Sequence, residues 1–155
     1  EFANSGGLVL GICNGFQILT ETGLLPGILQ QNIYQKFICK NVHVKVNDKE
    51  NKYFNSIKKE VLELHIAHNE GNYFCSKDEL KSLKDNSQIA VTYCDENGKE
   101  SEEFNPNGAL NNIAGIFNKN KNILGMMPHP ERVIDKSLSS NDGNFFFENL
   151  IENLK

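Results

Sequence analysis

Apolar positions along this chain recur with two rhythms. From Ile38 to Val46 they alternate, with Val42, Val44 and Val46 on one face and His43 and Lys45 on the other. From Val61 to Ile66 they alternate again, with Leu62, Leu64 and Ile66 opposite Glu63 and His65. A period of two is the signature of a half-buried strand, and His43 reads as a solvated strand residue. Two such strands separated by the polar loop Asn47 to Lys52 predict an antiparallel excursion. Leu8-Val9-Leu10, Ile113 to Phe117 and Ile123 to Met127 are instead short uninterrupted apolar runs, as expected of strands covered on both faces. Gln88 to Cys94 adds another strand, closed by a turn at Asp95-Glu96-Asn97-Gly98.

Helices fit between these runs. Phe16 to Thr22 reads as the first turns of one, and Ser76 followed by Glu79 makes a capping box opening another through Lys84. Phe145, Phe146, Leu150, Ile151 and Leu154 recur near helical spacing, which predicts a terminal helix with a core face. Asn105-Pro106-Asn107-Gly108 is a loop signal, and Asn118 to Asn122 a hairpin-like connection. There is no internal repeat or interdomain linker. The pattern predicts one domain over residues 1–155, of α/β class: a sandwich with a mainly parallel sheet and antiparallel strands at one side.

Composition narrows the function classes. At 155 residues with 39% hydrophobic positions, the chain can bury a substantial core. A net charge of -4 spread along the sequence lacks the concentrated basic face that nucleic-acid binding requires. No apolar stretch reaches the roughly 18 to 20 residues needed to span a bilayer. Cys13, Cys39, Cys75 and Cys94 form no Cys-x-x-Cys pair and no metal-like spacing with the histidines, so the reading is reduced thiols in the cytoplasm and no zinc site.

Two segments carry the candidate chemistry. Cys13 lies in Gly11-Ile12-Cys13-Asn14-Gly15-Phe16-Gln17, between a predicted strand and a predicted helix. There its thiol meets the unpaired N–H groups of a helix start, which stabilise a thiolate and can hold an oxyanion. Far downstream, Pro128 and Pro130 bracket His129 in a segment that cannot continue as helix. In extended geometry His129 and Glu131 leave the same side of the chain, so the carboxylate can orient the imidazole. Gln17, four residues after Cys13, returns to the same helix face and either touches substrate or braces the helix start. His68 and Glu70 either pair, line the site or stabilise a loop, the last being favoured; Arg132 reads as a partner contact or a surface ion-pair residue.

Together Gly-Ile-Cys-Asn-Gly-Phe-Gln, Ala67-His68-Asn69-Glu70-Gly71-Asn72-Tyr73, Asn112-Ile113-Ala114-Gly115-Ile116 and Met126-Met127-Pro128-His129-Pro130-Glu131-Arg132 resemble the glutaminase subunit of phosphoribosylformylglycinamidine synthase, a class I glutamine amidotransferase of purine biosynthesis. The resemblance implies a three-layer, flavodoxin-like fold. It implies Cys13 as nucleophile toward L-glutamine, His129 as acid and base, and Glu131 as its orienter, with the Asn14 backbone N–H as an oxyanion donor and Gln17 in the glutamine site. It also implies a large ATP- and magnesium-using synthetase subunit that receives the ammonia and acts on formylglycinamide ribonucleotide. The Asn72 version of the His-x-Glu-Gly-x-Tyr segment is similar to subunits that need a small third subunit. No cofactor is expected in this chain, which has no Gly-rich phosphate loop with a following Lys-Ser or Lys-Thr.

Members of that family carry further chain before this point, with the first strands of the sheet and a Gly-Gly loop supplying a second oxyanion donor. The sequence has no initiating Met, and Glu1 to Gly6 reads as a helix end closed by glycine, so a longer parent is expected. Three other readings stand beside this one. They are a lone cysteine hydrolase of the same fold, either γ-glutamyl hydrolase or peptidase-like, an amidotransferase serving another acceptor, and an inactive docking fragment.

Overall fold

A computed structural model describes residues 1–138 and 140–153. It contains eight strands: β1 (Val9–Ile12), β2 (Ile28–Gln30), β3 (Ile38–Val46), β4 (Val61–His68), β5 (Asn72–Phe74), β6 (Ile89–Cys94), β7 (Ile113–Phe117) and β8 (Ile123–Met126). Three α-helices accompany them: α1 (Asn14–Glu21), α2 (Lys77–Asp85) and α3 (Asp142–Asn153). Six strands form one sheet in the order β1-β8-β7-β6-β3-β4, and β2 pairs with β5 in a small second sheet.

The α/β class holds, and the predicted strands appear within a residue or two of their expected ends. The direction of the sheet differs. Among the described residues only β1 and β8 run parallel; β8/β7, β7/β6, β6/β3 and β3/β4 are all antiparallel. The reason lies in the connections: Asn118 to Asn122 is too short for a parallel crossover, which needs a dozen residues or more, and makes a hairpin. β2 and β5, three residues each, are too short for a periodicity signal and went unread in the sequence.

Helices cover both faces. Phe117 and Leu124 are cross-strand partners, as are Ile116 and Gly125, so the two pairs face opposite sides. On the Gly125 side lies α1: a Cβ added at Gly125 would come within 2.2 Å of Phe16, and one at Gly11 within 2.4 Å of Leu19. On the Phe117 side Phe54 packs against both Phe117 and Phe146 of α3, at centroid distances of 6.0 and 5.6 Å. The result is helix, sheet, helix. Ser76 and Glu79 close the predicted capping box at the start of α2.

The core face of α3 is narrower than predicted. Phe146 is buried and Leu150 partly so, but Phe145 and Ile151 are exposed, and Leu154 lies outside the described residues. The stripe of 146, 149 and 150 wins because Asn149 also points inward, its Oδ1 accepting from the Ser56 amide at 2.6 Å. β4, at the edge of the sheet opposite β1 in strand order, curls back toward the end of β8, where His65 bridges His129. That closure brings the ends of β1, β4 and β8 together.

Candidate active site

Cys13 stands between β1 and α1 with φ 52° and ψ −104°. This is strained backbone for any residue with a Cβ, and such strain, on the order of 1–3 kcal/mol, persists only where the surroundings impose it. Here they do: the Cys13 N–H donates to the Met126 carbonyl at 2.8 Å, and the Gln17 N–H donates to the Cys13 carbonyl at 3.2 Å. Gly11 lets the turn close, since a side chain there would strike Leu19 and the Gly15 backbone. The thiol makes no capping bond to the helix, so the first amides of α1 are left for another acceptor.

The thiol is half-buried, with Sγ 3.9 Å from the Ala67 carbonyl oxygen. Burial pushes its pKa up, and the Asn14 N–H and the Arg132 charge pull it down by less, while Glu131 adds to the rise. In the free site desolvation outweighs the Asn14 amide and the Arg132 charge, opposite in direction to the expected stabilisation by the helix start.

His129 lies at the same end of the neighbouring strand, three residues after Met126, which pairs with Ile12. Its N–H donates to the His65 carbonyl at 2.7 Å. Its Nδ1 lies 2.5 Å from Glu131 Oε1. The expected partnership is present, but by another geometry: Pro130–Arg132 forms a 3-10 turn instead of an extended run, and the turn brings the carboxylate back to the ring. A carboxylate only accepts, so Nδ1 is the donor of this bond. His129 is buried, and its Nε2 has no hydrogen-bond partner among the described residues. Arg132 is about half exposed, its Nε 3.9 Å from Glu131 Oε1.

Gln17 makes no side-chain hydrogen bond to Cys13 among the described residues. Its Nε2 donates to the Glu70 carbonyl at 2.9 Å and braces α1 against the β4–β5 connection. Asn14 is exposed at the first position of the helix. His68 is buried and bonds Asn32, so the structure does not show the His68–Glu70 pairing. Sequence reasoning missed Asn32, Tyr93 and Asn107. Asn107 is fully buried and donates to the Gly71 carbonyl at 2.8 Å and the Tyr93 hydroxyl at 3.3 Å. Its Asn-Pro-Asn-Gly setting signalled a loop, and nothing in that pattern signals burial.

Cavities of about 450 and 510 Å³ lie elsewhere, the first beside Leu24 and Leu83, the second beside Ile33 and Asn112. Among the described residues no group of three or more His, Cys, Asp or Glu side chains could hold a metal ion. No described helix is long and apolar enough to cross a membrane.

Comparison with known proteins decides the family. Residues 1–145 match the CobB/CobQ-like glutamine amidotransferase domain. Over 155 residues the chain is 65% identical to phosphoribosylformylglycinamidine synthase subunit PurQ of Pelagibacter ubique, covering 100% of this chain and 68% of that protein. The chain belongs to the PurQ family of glutamine amidotransferases. The PurQ subunit of Aquifex aeolicus is 47% identical over 152 residues, covering 97% of this chain and 67% of its own length. The structure of PurLQS from Thermotoga maritima superposes with a TM-score of 0.83 at 35% identity, covering 99% of this chain and 65% of that one. The chain thus spans about two thirds of the length of the PurQ proteins it matches.

Proposed function

We propose that this chain hydrolyses L-glutamine with Cys13, His129 and Glu131 and delivers the ammonia to a synthetase partner. The observation that carries the reading is the pairing of a strained cysteine turn with a histidine just beyond the end of the adjacent strand, its Nδ1 held by Glu131 and its Nε2 without a partner among the described residues. His129 Nε2 takes the thiol proton as sulfur attacks the glutamine carboxamide. The tetrahedral oxyanion faces the Asn14 amide at the start of α1. The imidazolium, stabilised by Glu131, then protonates the departing nitrogen, leaving a γ-glutamyl thioester. Water activated by His129 hydrolyses that thioester to glutamate. Gln17 acts by bracing the site, through the Glu70 carbonyl.

Ammonia released into water is protonated and lost to nucleophilic chemistry, so the reaction is useful only beside an acceptor site. The PurQ relatives are subunits of phosphoribosylformylglycinamidine synthase. The acceptor is accordingly formylglycinamide ribonucleotide, converted to formylglycinamidine ribonucleotide by a large synthetase subunit that uses ATP and magnesium, with a small third subunit in the assembly. No cofactor is assigned to this chain, and a cytoplasmic location belongs to the same reading. The test is glutamine-dependent formation of the amidine product by this protein with its synthetase. Ammonia-dependent synthesis that glutamine cannot replace would refute the proposal.

A further inference from the structure

His68 ends β4, on the inward face that also carries Leu62, Leu64 and Ile66. Its tautomer follows from its partner. Asn32 Nδ2 donates to the Lys36 and His68 carbonyls at 2.8 and 2.9 Å, so the opposite side of that amide is the oxygen. Asn32 Oδ1 accepts from the Gly71 N–H at 3.0 Å and lies 3.1 Å from His68 Nδ1. His68 Nδ1 must therefore carry the proton, and Nε2 is a lone-pair acceptor. His68 is 3% exposed, and its Nε2 has no partner among the described residues. A buried acceptor left in that state is costly, on a scale that native folds rarely tolerate without a reason.

The position of this acceptor suggests the reason. The preceding residue, Ala67, places its carbonyl 3.9 Å from Cys13 Sγ, and His65, three residues back, holds the His129 amide. The end of β4 thus runs along the reacting groups. The ring is also fixed: a Cβ at Gly71 would lie 2.3 Å from His68 Cε1. Asn107 ties the Gly71 carbonyl to Tyr93, which completes a buried shell behind it. Burial, followed by the neighbouring His129, depresses the His68 pKa to about 4, so the ring is neutral at neutral pH.

We infer that His68 Nε2 accepts a hydrogen bond from the carboxamide NH2 of bound glutamine and makes His68 a substrate-binding, specificity-determining residue of the site. The inference rests on the glutaminase reading above. The departing nitrogen keeps two N–H groups through the tetrahedral stage, and one of them meets a fixed acceptor on the strand end whose Ala67 carbonyl lies 3.9 Å from the thiol. A carboxylate offers oxygen lone pairs at that point, so the product glutamate is repelled where glutamine is held.

The test compares glutamine with γ-glutamyl methyl ester, which carries the same γ-glutamyl group and no N–H at the scissile end. The protein is used with its synthetase present. His68→Asn keeps a donor toward Asn32 and deletes the Nε2 acceptor, whereas His68→Gln restores an acceptor at that distance. His68→Asn is expected to lower kcat/KM for glutamine by about tenfold to a hundredfold, the scale of one hydrogen bond to a buried group. Ester hydrolysis, whose leaving oxygen offers no N–H, should not fall by more than about threefold on the same scale, and His68→Gln should recover part of the glutamine rate. Equal losses on both substrates, as a water or a protonated His129 at Nε2 would give, or no loss on either, overturn the inference. A wild-type protein that hydrolyses neither substrate would instead overturn the glutaminase reading.

Discussion

The Cys13 backbone N–H donates to the Met126 carbonyl, so the turn that holds the thiol is fastened to the strand that leads into His129. The two reacting side chains are thereby set by one parallel strand pair, although they are far apart in sequence. The cost is a non-glycine residue at φ 52°. Cys13→Ala and Cys13→Gly should both abolish glutamine hydrolysis. They should differ in stability, with the glycine variant the more stable by about 1 kcal/mol because only it relaxes at positive φ. Thermal unfolding of the two variants side by side checks this.

Burial raises the Cys13 pKa while Arg132 opposes it. Alkylation of Cys13 by iodoacetamide without substrate should be slow at neutral pH and climb at pH values above those of an ordinary thiol. Arg132→Gln should move that climb further up. Rates followed by mass spectrometry across pH 6 to 10 give the answer, and a profile unmoved by the substitution would remove Arg132 from the account.

Glu131 holds His129 Nδ1, so its loss acts on the base and not on glutamine. Glu131→Gln is expected to lower kcat by about a hundredfold to ten-thousandfold, the range seen when the third member of a triad is neutralised, with little change in KM. Steady-state kinetics would separate the two parameters; a rise in KM alone would contradict the orienting role.

His68 is neutral in the fold, with its pKa pushed down to about 4 from the ordinary 6.5. Below pH 6.5 the unfolded chain binds a proton that the folded chain does not. Stability is therefore complete above about pH 6.5 and falls as pH drops toward 4, by about 3 kcal/mol in all. Urea unfolding at pH 7, 6, 5 and 4 should show this slope, and His68→Asn should flatten it.

Gly143, the second residue of α3, lies against the turn that carries Glu131. A Cβ there would lie 1.8 Å from the Pro130 carbonyl oxygen, and the Gly143 N–H donates to the Val133 carbonyl at 2.9 Å. Gly143→Ala should displace the 3-10 turn, destabilise the fold by about 1–3 kcal/mol as overpacking does, and lower kcat although the residue touches no reacting atom. Chemical denaturation and kinetics on one preparation test both halves.

Much of this was legible in the sequence because the relevant signals are local. The alternation at Val42, Val44 and Val46, the Ser76–Glu79 capping box and the Cys13 turn each depend on a few neighbouring residues. The direction of the sheet did not follow from the apolar runs, since a strand buried on both faces reads alike whether its neighbour is parallel or antiparallel. The His129–Glu131 pairing was anticipated with the wrong backbone, because two residues can meet across an extended run or a 3-10 turn. Asn32 was invisible: the four hydrogen bonds of its side chain join the segments around 32–36 and 68–71, and no spacing within either segment announces them. The sign of the Cys13 shift also escaped, as it depends on how deeply the fold buries the sulfur.

The most direct test of the central claim is labelling of the folded protein with a glutamine-mimicking electrophile, with and without excess glutamine, followed by intact mass and peptide mapping. One adduct at Cys13, suppressed by glutamine, is the predicted result. Labelling spread over Cys39 and the other thiols, or labelling at Cys13 that glutamine does not slow, would contradict a glutamine site built on Cys13, His129 and Glu131.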